Sequence, residues 1–330
     1  MLFFFTLITG TLISTTSYNW FMMWIGLEIN LLSIIPLFKS HKNNYPVEAT
    51  LKYFITQALA STIILFTIII SMNTMETLSN QNYWLMMIMN SALLTKLGAA
   101  PFHYWFPEVM EGLNWMNNLL LLTWQKLAPM ILLMYNLNMT IFFSMIIILS
   151  SIISGIYGIN QMSLRKILSY SSINHISWML ASTLNLKNIW LIYFLIYSII
   201  SMNIIIIFHF FNILFIPQLF LILNKNKMIK LMFIFNFFSL GGLPPFLGFF
   251  PKWLVINHLT ENQFFTLSMI LIMSTLITLF YYIRLTFSSL TLNYKESIIF
   301  NPNNQTYKIT IFNIVSIFSL IVCTNIFSYF

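Results

Sequence analysis

Four charged side chains lie deep inside long apolar stretches of this 330-residue chain: Glu28, Lys96, Lys126 and Lys252. On membrane-insertion scales each such group costs about 2.5–3.5 kcal/mol at the bilayer centre, so structure alone seldom requires four of them. Burial in a low dielectric drives an ammonium to lose its proton, and a nearby carboxylate opposes that loss. Glutamate and lysine in successive apolar segments therefore predict a proton relay.

Ordinary structural roles compete with this interpretation, because a long side chain can extend to the membrane surface and two charges can form a static pair. Glu28 lies in the middle of its segment, too far from either end to reach the surface easily. Lys126 is also central, and Thr123 and Pro129 lie one turn to either side of it. They make its helix face polar and open its hydrogen-bond ladder. A functional role is favoured for both residues.

Lys96 and Lys252 differ from these two because each lies beside a Gly/Pro interruption of an apolar segment. Backbone carbonyls that a broken helix leaves without partners could simply accept hydrogen bonds from the ammonium. A purely structural role therefore stays open beside the relay role for these two lysines.

One of the five histidines, His175, also belongs to the candidate relay. Ser171 lies one turn before it and Ser182 two turns after it, which makes a polar stripe on an apolar helix. Such a stripe usually faces a bundle interior or water, so His175 is either a relay member or a hydrogen-bonded helix contact. His41 and His258 fall at segment ends, where we expect them to be solvated.

The composition places these residues in a membrane. Of all residues 59% are hydrophobic and 7% are charged, and the mean hydropathy is +0.84. Soluble domains carry about 25% charged residues, so a soluble enzyme is excluded, and so is a disordered chain. The formal charge of +8 reflects few acids, with no Asp, and not a dense basic patch that would bind nucleic acid.

Sequence signals for cofactors are missing. Cys323 is the single cysteine, so neither an internal disulfide nor a Cys-ligated iron–sulfur cluster is available. The sequence contains no GxGxxG, GxxxxGK[ST] or HExxH motif, so nucleotide-binding and zinc-protease chemistry lack support. We therefore expect no cofactor and no metal in this chain.

Apolar runs between polar interruptions predict an all-α polytopic membrane protein, because a helix needs about 20 apolar residues to cross the hydrocarbon core. About eleven spans are predicted: 2–18, 20–38, 47–72, 83–111, 114–135, 139–159, 164–183, 189–216, 228–258, 263–287 and 308–328. The fourth and ninth are too long for simple spans, and both contain Gly/Pro interruptions.

Loop charges predict the orientation of these spans. The side that carries the N-terminus holds eleven basic residues, whereas the other side holds Lys187, Glu76 and Glu261. Positive residues mark the cytoplasm or its organellar equivalent, the matrix. The eleven basic residues on the N-terminal side are Lys39, Lys42, Lys52, Arg165, Lys166, Lys225, Lys227, Lys230, Arg284, Lys295 and Lys308. An odd number of spans then places the C-terminus on the opposite side.

The two overlong spans repeat each other. The run GAAPFHYWFPE (98–108) matches GLPPFLGFFPK (242–252) in Gly, Pro-Phe and Phe-Pro at a constant offset of 144 residues. The copies lie in the fourth and ninth spans, five positions apart, so they cross in opposite directions. Broken helices in inverted halves indicate a transport site. We predict one membrane domain, 1–330, with inverted five-helix repeats at about 1–135 and 139–290 and an extra C-terminal helix at about 308–328.

Four motifs in this order resemble a known family: LLTKLGAAPFHYWFPEV (93–109), WQKLAP (124–129), LSYSSINHISWM (168–179) and GGLPPFLGFFPKW (241–253). The chain is similar over essentially its whole length to the antiporter-like membrane-arm subunits of mitochondrial NADH:ubiquinone oxidoreductase, complex I. The similarity is to subunit 2, in the shorter animal form that lacks the first three spans of bacterial relatives.

The resemblance implies a role for each candidate residue. The family's key glutamate corresponds to Glu28, its paired lysine to Lys96 and its central relay lysine to Lys126. His175 corresponds to a histidine of the hydrated central axis, and Lys252 to the terminal residue of that axis. The chain itself would carry no redox centre, while FMN, iron–sulfur clusters and ubiquinone would act in other subunits.

The implied function is proton transfer across the inner mitochondrial membrane, with the N-terminus in the matrix and the C-terminus in the intermembrane space. Implied partners are subunits 4L and 4, accessory subunits and lipid, but not nucleic acid. Two alternatives stay open. One is an autonomous cation/proton antiporter or a subunit of one, and the other is a membrane scaffold whose buried charges are structural pairs.

Overall fold

A computed structural model of the chain describes residues 1–39, 45–73, 79–137, 139–184, 187–223, 227–244 and 246–291. Within these ranges the regular elements are all helices. In chain order they are α1 (Leu2–Thr16), α2 (Trp20–Phe38), α3 (Tyr45–Asn73), α4 (Ser79–Leu97), α5 (Trp105–Gly112), α6 (Trp115–Leu122), α7 (Trp124–Leu133), α8 (Thr140–Ile159), α9 (Leu164–Thr183), α10 (Lys187–Phe211), α11 (Ile216–Leu223), α12 (Lys227–Gly241), α13 (Phe249–Glu261) and α14 (Phe265–Thr291).

Five helices in the described ranges are long and apolar enough to cross a membrane by length and composition: α2, α3, α8, α10 and α14. Helices suit this role because all their backbone hydrogen bonds are made within the segment, where hydrocarbon offers no other partner. The apolar helices α1 and α12 are shorter. The predicted span 308–328 lies outside the described residues, and the total of eleven spans stays a prediction.

Several predicted spans consist of two helices. The span 83–111 contains α4 and α5, 114–135 contains α6 and α7, and 228–258 contains α12 and α13. The predicted span 189–216 is too long at its C-terminal end, because α10 ends at Phe211. The next residue, Asn212, has φ +50, a left-handed conformation that asparagine tolerates and that ends a helix.

The chain divides into two compact units, Met1–Leu149 and Ser150–Phe330, with the division inside α8. In the first unit α1 and α2 approach closely, since a Cβ atom at Gly26 would lie 2.6 Å from the Ser14 backbone nitrogen. Small residues allow such contact between membrane helices. Helix α3 packs on α2, α4 and α5, and α7 packs on α1 and α4. The helices that carry Glu28, Lys96 and Lys126 therefore belong to one packed group.

In the second unit α9 is enclosed by its neighbours. Every residue from Ser171 to Thr183 is buried, and α9 contacts α10, α13 and α14. Helix α12 contacts α10, α11 and α14. Because α9 is rich in Ser, Asn and His, its polar side chains must find hydrogen-bond partners inside this unit.

Candidate functional site

The first helix break follows α4. The Leu94 carbonyl accepts hydrogen bonds from the N–H groups of both Gly98 and Ala99, at 3.0 and 3.1 Å. Gly98 has φ +75, a left-handed conformation that favours glycine, and a Cβ atom there would also lie 3.2 Å from Phe106. The predicted interruption at 98–101 is therefore observed, and Lys96 lies in the last turn before it.

The second break, after α12, has the same backbone pattern 144 residues later. The Phe238 carbonyl accepts from the N–H groups of Gly242 and Leu243, at 3.1 and 3.2 Å. Gly242 has φ +76. The predicted interruption at 242–245 therefore begins at Gly242, and residue 245 lies outside the described ranges. The sequence match between the two segments extends to their local hydrogen bonds.

Lys96 is almost buried, with 7% of its surface exposed, whereas Glu28 is half-buried. The Glu28 carboxylate interacts electrostatically with the Lys96 ammonium. In the described part of the chain these two side chains do not form a direct ion pair. The two charges thus influence each other across a gap.

A polar cavity of about 10 Å³ lies beside Lys96. Its lining residues are Leu27, Asn30, Leu31, Tyr53, Gln57, Lys96, Gln125 and Pro129. The Gln125 Nε2 donates to Asn30 Oδ1 at 2.8 Å, and the Tyr53 hydroxyl donates to Gln125 Oε1 at 3.3 Å. Gln57 donates to the Lys96 backbone carbonyl at 3.4 Å. Side chains from α2, α3, α4 and α7 therefore meet in one polar cluster.

Lys126 is 1% exposed and follows an interruption of the helix. Thr123 lies between α6 and α7, and its hydroxyl donates to the Leu119 carbonyl at 2.7 Å. The Lys126 Nζ atom lies 6.0 Å from the centre of the Phe106 ring, the distance of a weak cation–π contact. The predicted opening is observed at Thr123, where the span divides into α6 and α7, whereas Pro129 lies inside α7.

Lys252 lies in α13 but contacts the end of α12. Its Nζ donates to the Gly241 carbonyl at 2.8 Å and to the Leu240 carbonyl at 3.4 Å. The same ammonium lies 5.9 Å from the Trp178 ring. Lys252 therefore caps the broken helix, as the structural alternative predicted, and its place in a relay stays a prediction.

His175 contacts two tyrosines of α10. Its Nδ1 atom is 2.8 Å from the Tyr193 hydroxyl, and its ring centre is 4.9 Å from that of Tyr197. The hydroxyls of Ser171 and Ser182 instead donate to carbonyls three residues earlier in α9. The stripe is buried, His175 makes a hydrogen-bonded helix contact through Tyr193, and its relay role stays a prediction.

Reasoning from the sequence missed these tyrosines and the amides around Lys96. The signals were present, because Tyr193 and Tyr197 are one turn apart, Asn30 lies two residues after Glu28, and Gln125 precedes Lys126. Which helices would bring them to the charged residues could not be read from spacing.

The structure thus brings Glu28, Lys96 and Lys126 into one group of packed helices. Trp178, one turn after His175 on α9, places Lys252 next to the histidine's helix in the second unit. In the described ranges no group of three His, Cys, Asp or Glu residues could hold a metal ion.

Comparison with known proteins identifies the chain's relatives. The NADH:quinone oxidoreductase/Mrp antiporter transmembrane family matches residues 17–278. NADH-ubiquinone oxidoreductase chain 2 of Anopheles gambiae is 47% identical over 99% of this chain and 97% of that protein. The Aedes aegypti protein of the same name is 50% identical with the same coverage.

Solved structures share the fold at low sequence identity. A chain of respiratory complex I from Thermus thermophilus with bound aureothin superimposes with a TM-score of 0.85 at 20% identity, over 96% of this chain and 76% of that one. A chain of the Mrp complex from Dietzia superimposes with a TM-score of 0.75 at 14% identity, over 87% of this chain and 60% of that one. By its sequence match and its curated relatives, the chain belongs to the NADH:quinone oxidoreductase/Mrp antiporter family, in the chain 2 group of NADH-ubiquinone oxidoreductase.

Proposed function

We propose that this chain is a membrane-arm subunit of complex I that moves protons from the mitochondrial matrix to the intermembrane space. One observation carries the proposal: Lys96, Lys126 and Lys252 are 7%, 1% and 6% exposed, inside a chain of this family. Ionisable groups buried in membrane segments usually line ion or proton pathways.

The relay begins at Glu28 and Lys96. While the two charges interact, the carboxylate favours the protonated lysine. Weakening that interaction lowers the proton affinity of Lys96, and its proton passes through water toward Lys126. The absence of a direct ion pair between the two described side chains supports this step, because a gap between them can widen or narrow without breaking a tight contact.

The relay continues in the second unit through His175 to Lys252. Two contacts on α9 support this part: the bond between His175 and Tyr193, and the ring of Trp178 beside the Lys252 ammonium. Imidazole is suited to such a step because it gains and loses a proton near neutral pH.

The proposed architecture has about eleven spans, with the N-terminus in the matrix and the C-terminus in the intermembrane space. It consists of two inverted five-helix repeats, about 1–135 and 139–290, and an extra helix at about 308–328. The excess of basic residues on the N-terminal side and the shared backbone pattern of the two breaks support it.

Electron transfer takes place in other subunits under this proposal. They hold the FMN, iron–sulfur clusters and ubiquinone, while this chain supplies the proton path. Subunits 4L and 4 are the proposed membrane-arm neighbours, with accessory subunits and lipid around them. A relay with ionisable residues near both ends, Glu28 and Lys252, needs neighbours that continue it.

The test is Lys126→Met in assembled complex I, with Lys39→Met as the matched control because Lys39 is exposed. We expect Lys126→Met complexes to assemble, to retain NADH oxidation with a soluble electron acceptor and to lose most proton pumping in proteoliposomes. The control should pump normally. A purely structural role predicts that assembly and pumping are both kept or both lost, and either result would refute the proposal.

The family match also covers Mrp antiporters, so an autonomous cation/proton antiporter is the second candidate. It predicts that the chain, reconstituted alone, exchanges Na⁺ or K⁺ for protons. Native gels followed by mass spectrometry test membership in complex I. A complex I subunit must migrate in the same band as the large assembly that oxidises NADH in a rotenone-sensitive way.

A further inference from the structure

The Lys96 ammonium needs hydrogen-bond acceptors that its neighbours do not provide. It carries three N–H donors, yet no oxygen of the described residues accepts from it. Lys96 is only 7% exposed, and an ammonium in such a place cannot be left without acceptors at low cost. The cavity of about 10 Å³ that Lys96 lines is close to the smallest volume that holds a water molecule.

Two other residues that line this cavity carry oxygen atoms that can accept more hydrogen bonds. The Gln125 Oε1 accepts from Tyr53, and the Asn30 Oδ1 accepts from Gln125. Each amide oxygen has two lone pairs, so each retains one for a further donor. A water placed between can accept from Lys96 and donate to these oxygens.

We propose that this cavity binds one water molecule and that Gln125 is the positioning residue that holds it against Lys96. The inference rests on the proposed function and extends it to a residue outside the charged relay. The water solvates the ammonium, so that Lys96 can hold its proton without a direct carboxylate contact. Gln125 is itself held on both sides, by Asn30 and by Tyr53.

The same network links three helices of the relay. Asn30 lies two residues after Glu28 on α2, and Gln125 directly precedes Lys126 on α7. A displacement of α2 therefore changes the bond that fixes Gln125, and with it the water beside Lys96. Weakening of the interaction between Glu28 and Lys96 and transfer of the Lys96 proton toward Lys126 are therefore coupled through the Gln125 amide.

The binding site is tested by a density map of intact complex I in which ordered waters are visible. We expect one water peak within hydrogen-bond distance of Lys96 Nζ and the Gln125 amide in the wild type, and none in Gln125→Met. Asn117→Leu is the control, because Asn117 donates to the Leu37 carbonyl at 3.1 Å and does not line the cavity. A wild-type map without this peak overturns the site.

The positioning role is tested by NADH-driven pumping of the same complexes. Gln125→Met should lower the pumping rate roughly tenfold, the loss expected for one hydrogen bond, while Asn117→Leu stays at the wild-type rate. If Gln125→Met does not assemble, Tyr53→Phe decides the result. It removes only the hydroxyl, keeps the ring contacts with Phe38 and Trp105, and should still slow pumping.

These outcomes separate the inference from the proposed function. Normal pumping by Gln125→Met, or by Tyr53→Phe where Gln125→Met does not assemble, overturns the positioning role. Normal pumping by Lys126→Met overturns the relay itself, whereas the water peak beside Lys96 is observed or missing independently of pumping.

Discussion

The two helix breaks share a backbone hydrogen-bond pattern and a left-handed glycine, but their buried lysines make different contacts. In each, a carbonyl of the last turn accepts two N–H groups, and a glycine with φ near +75 follows. At the second break the Lys252 ammonium donates to the last two carbonyls of α12, which are buried. At the first break the Lys96 ammonium bonds to no carbonyl of the described chain.

The difference shows that a lysine beside a break can serve two purposes. The last carbonyls of a helix lack partners and carry partial negative charge, so a cation there is stabilising. Lys252 meets this need for α12, and its structural and relay roles coincide. Lys96 does not cap its own break, so its ammonium can interact with Glu28 and water instead. Two lysines that look alike in sequence should therefore respond differently to substitution.

The largest effect is expected at Gly248, in the second break. A Cβ atom there would overlap the backbone carbonyl oxygen of Ser239, which cannot move without shifting the end of α12. Gly248→Ala should therefore destabilise the second unit by more than about 4 kcal/mol. Native-gel electrophoresis of mitochondrial membranes would show loss of assembled complex I.

Gly241→Ala is the control, because a Cβ atom there would lie 3.6 Å from its nearest neighbour, an ordinary contact. The position 144 residues before Gly248 is Tyr104, which is 69% exposed. Close backbone packing therefore distinguishes the second break from the first. Normal assembly with Gly248→Ala would remove this distinction.

Lys252→Met should cost about 1–3 kcal/mol in stability, because it leaves buried carbonyls of Gly241 and Leu240 without a donor. Lys96→Met removes no hydrogen bond to a carbonyl of the described chain, so it should reduce pumping with little loss of stability. The dissociation temperature of the purified complex gives the comparison. Equal temperatures for the two variants would contradict the assignment of a capping role to Lys252 alone.

Alanine at the two positive-φ glycines should give effects of different size. Each adopts a left-handed conformation, so either substitution should cost about 1–2 kcal/mol. A Cβ atom at Gly242 would lie 2.8 Å from the Lys252 Cδ atom, whereas one at Gly98 would press on Phe106. We expect larger losses of both thermal stability and pumping with Gly242→Ala, since it also displaces Lys252 from the carbonyls that it caps. Equal pumping by both variants would refute this.

The breaks could be predicted from sequence because local chemistry determines them. Glycine, proline and a repeat at constant offset placed both interruptions, and charge within apolar runs selected the candidate residues. The partners of those residues depend on packing between distant segments. Asn30 and Gln125 are 95 residues apart, and His175 bonds to Tyr193 of the next helix. Spacing along one helix cannot reveal such pairs, and for the same reason it left open whether Lys252 caps a helix.

The smallest effect is expected for a substitution at Glu108. This residue lies 144 positions before Lys252 and is its counterpart in the first break. Glu108 is exposed and pairs with Lys52 at 2.9 Å, and Lys52 also contacts Glu48. Exposed ion pairs contribute about 0–1 kcal/mol, so Glu108→Lys should cost less than about 1 kcal/mol and leave pumping unchanged. Thermal stability of the purified complex and proton pumping in proteoliposomes provide the measurement.

A lysine added at this position lies on the surface and cannot replace the buried ammonium that caps α12. A large loss of pumping would instead show that charge at this position acts on the relay in both breaks.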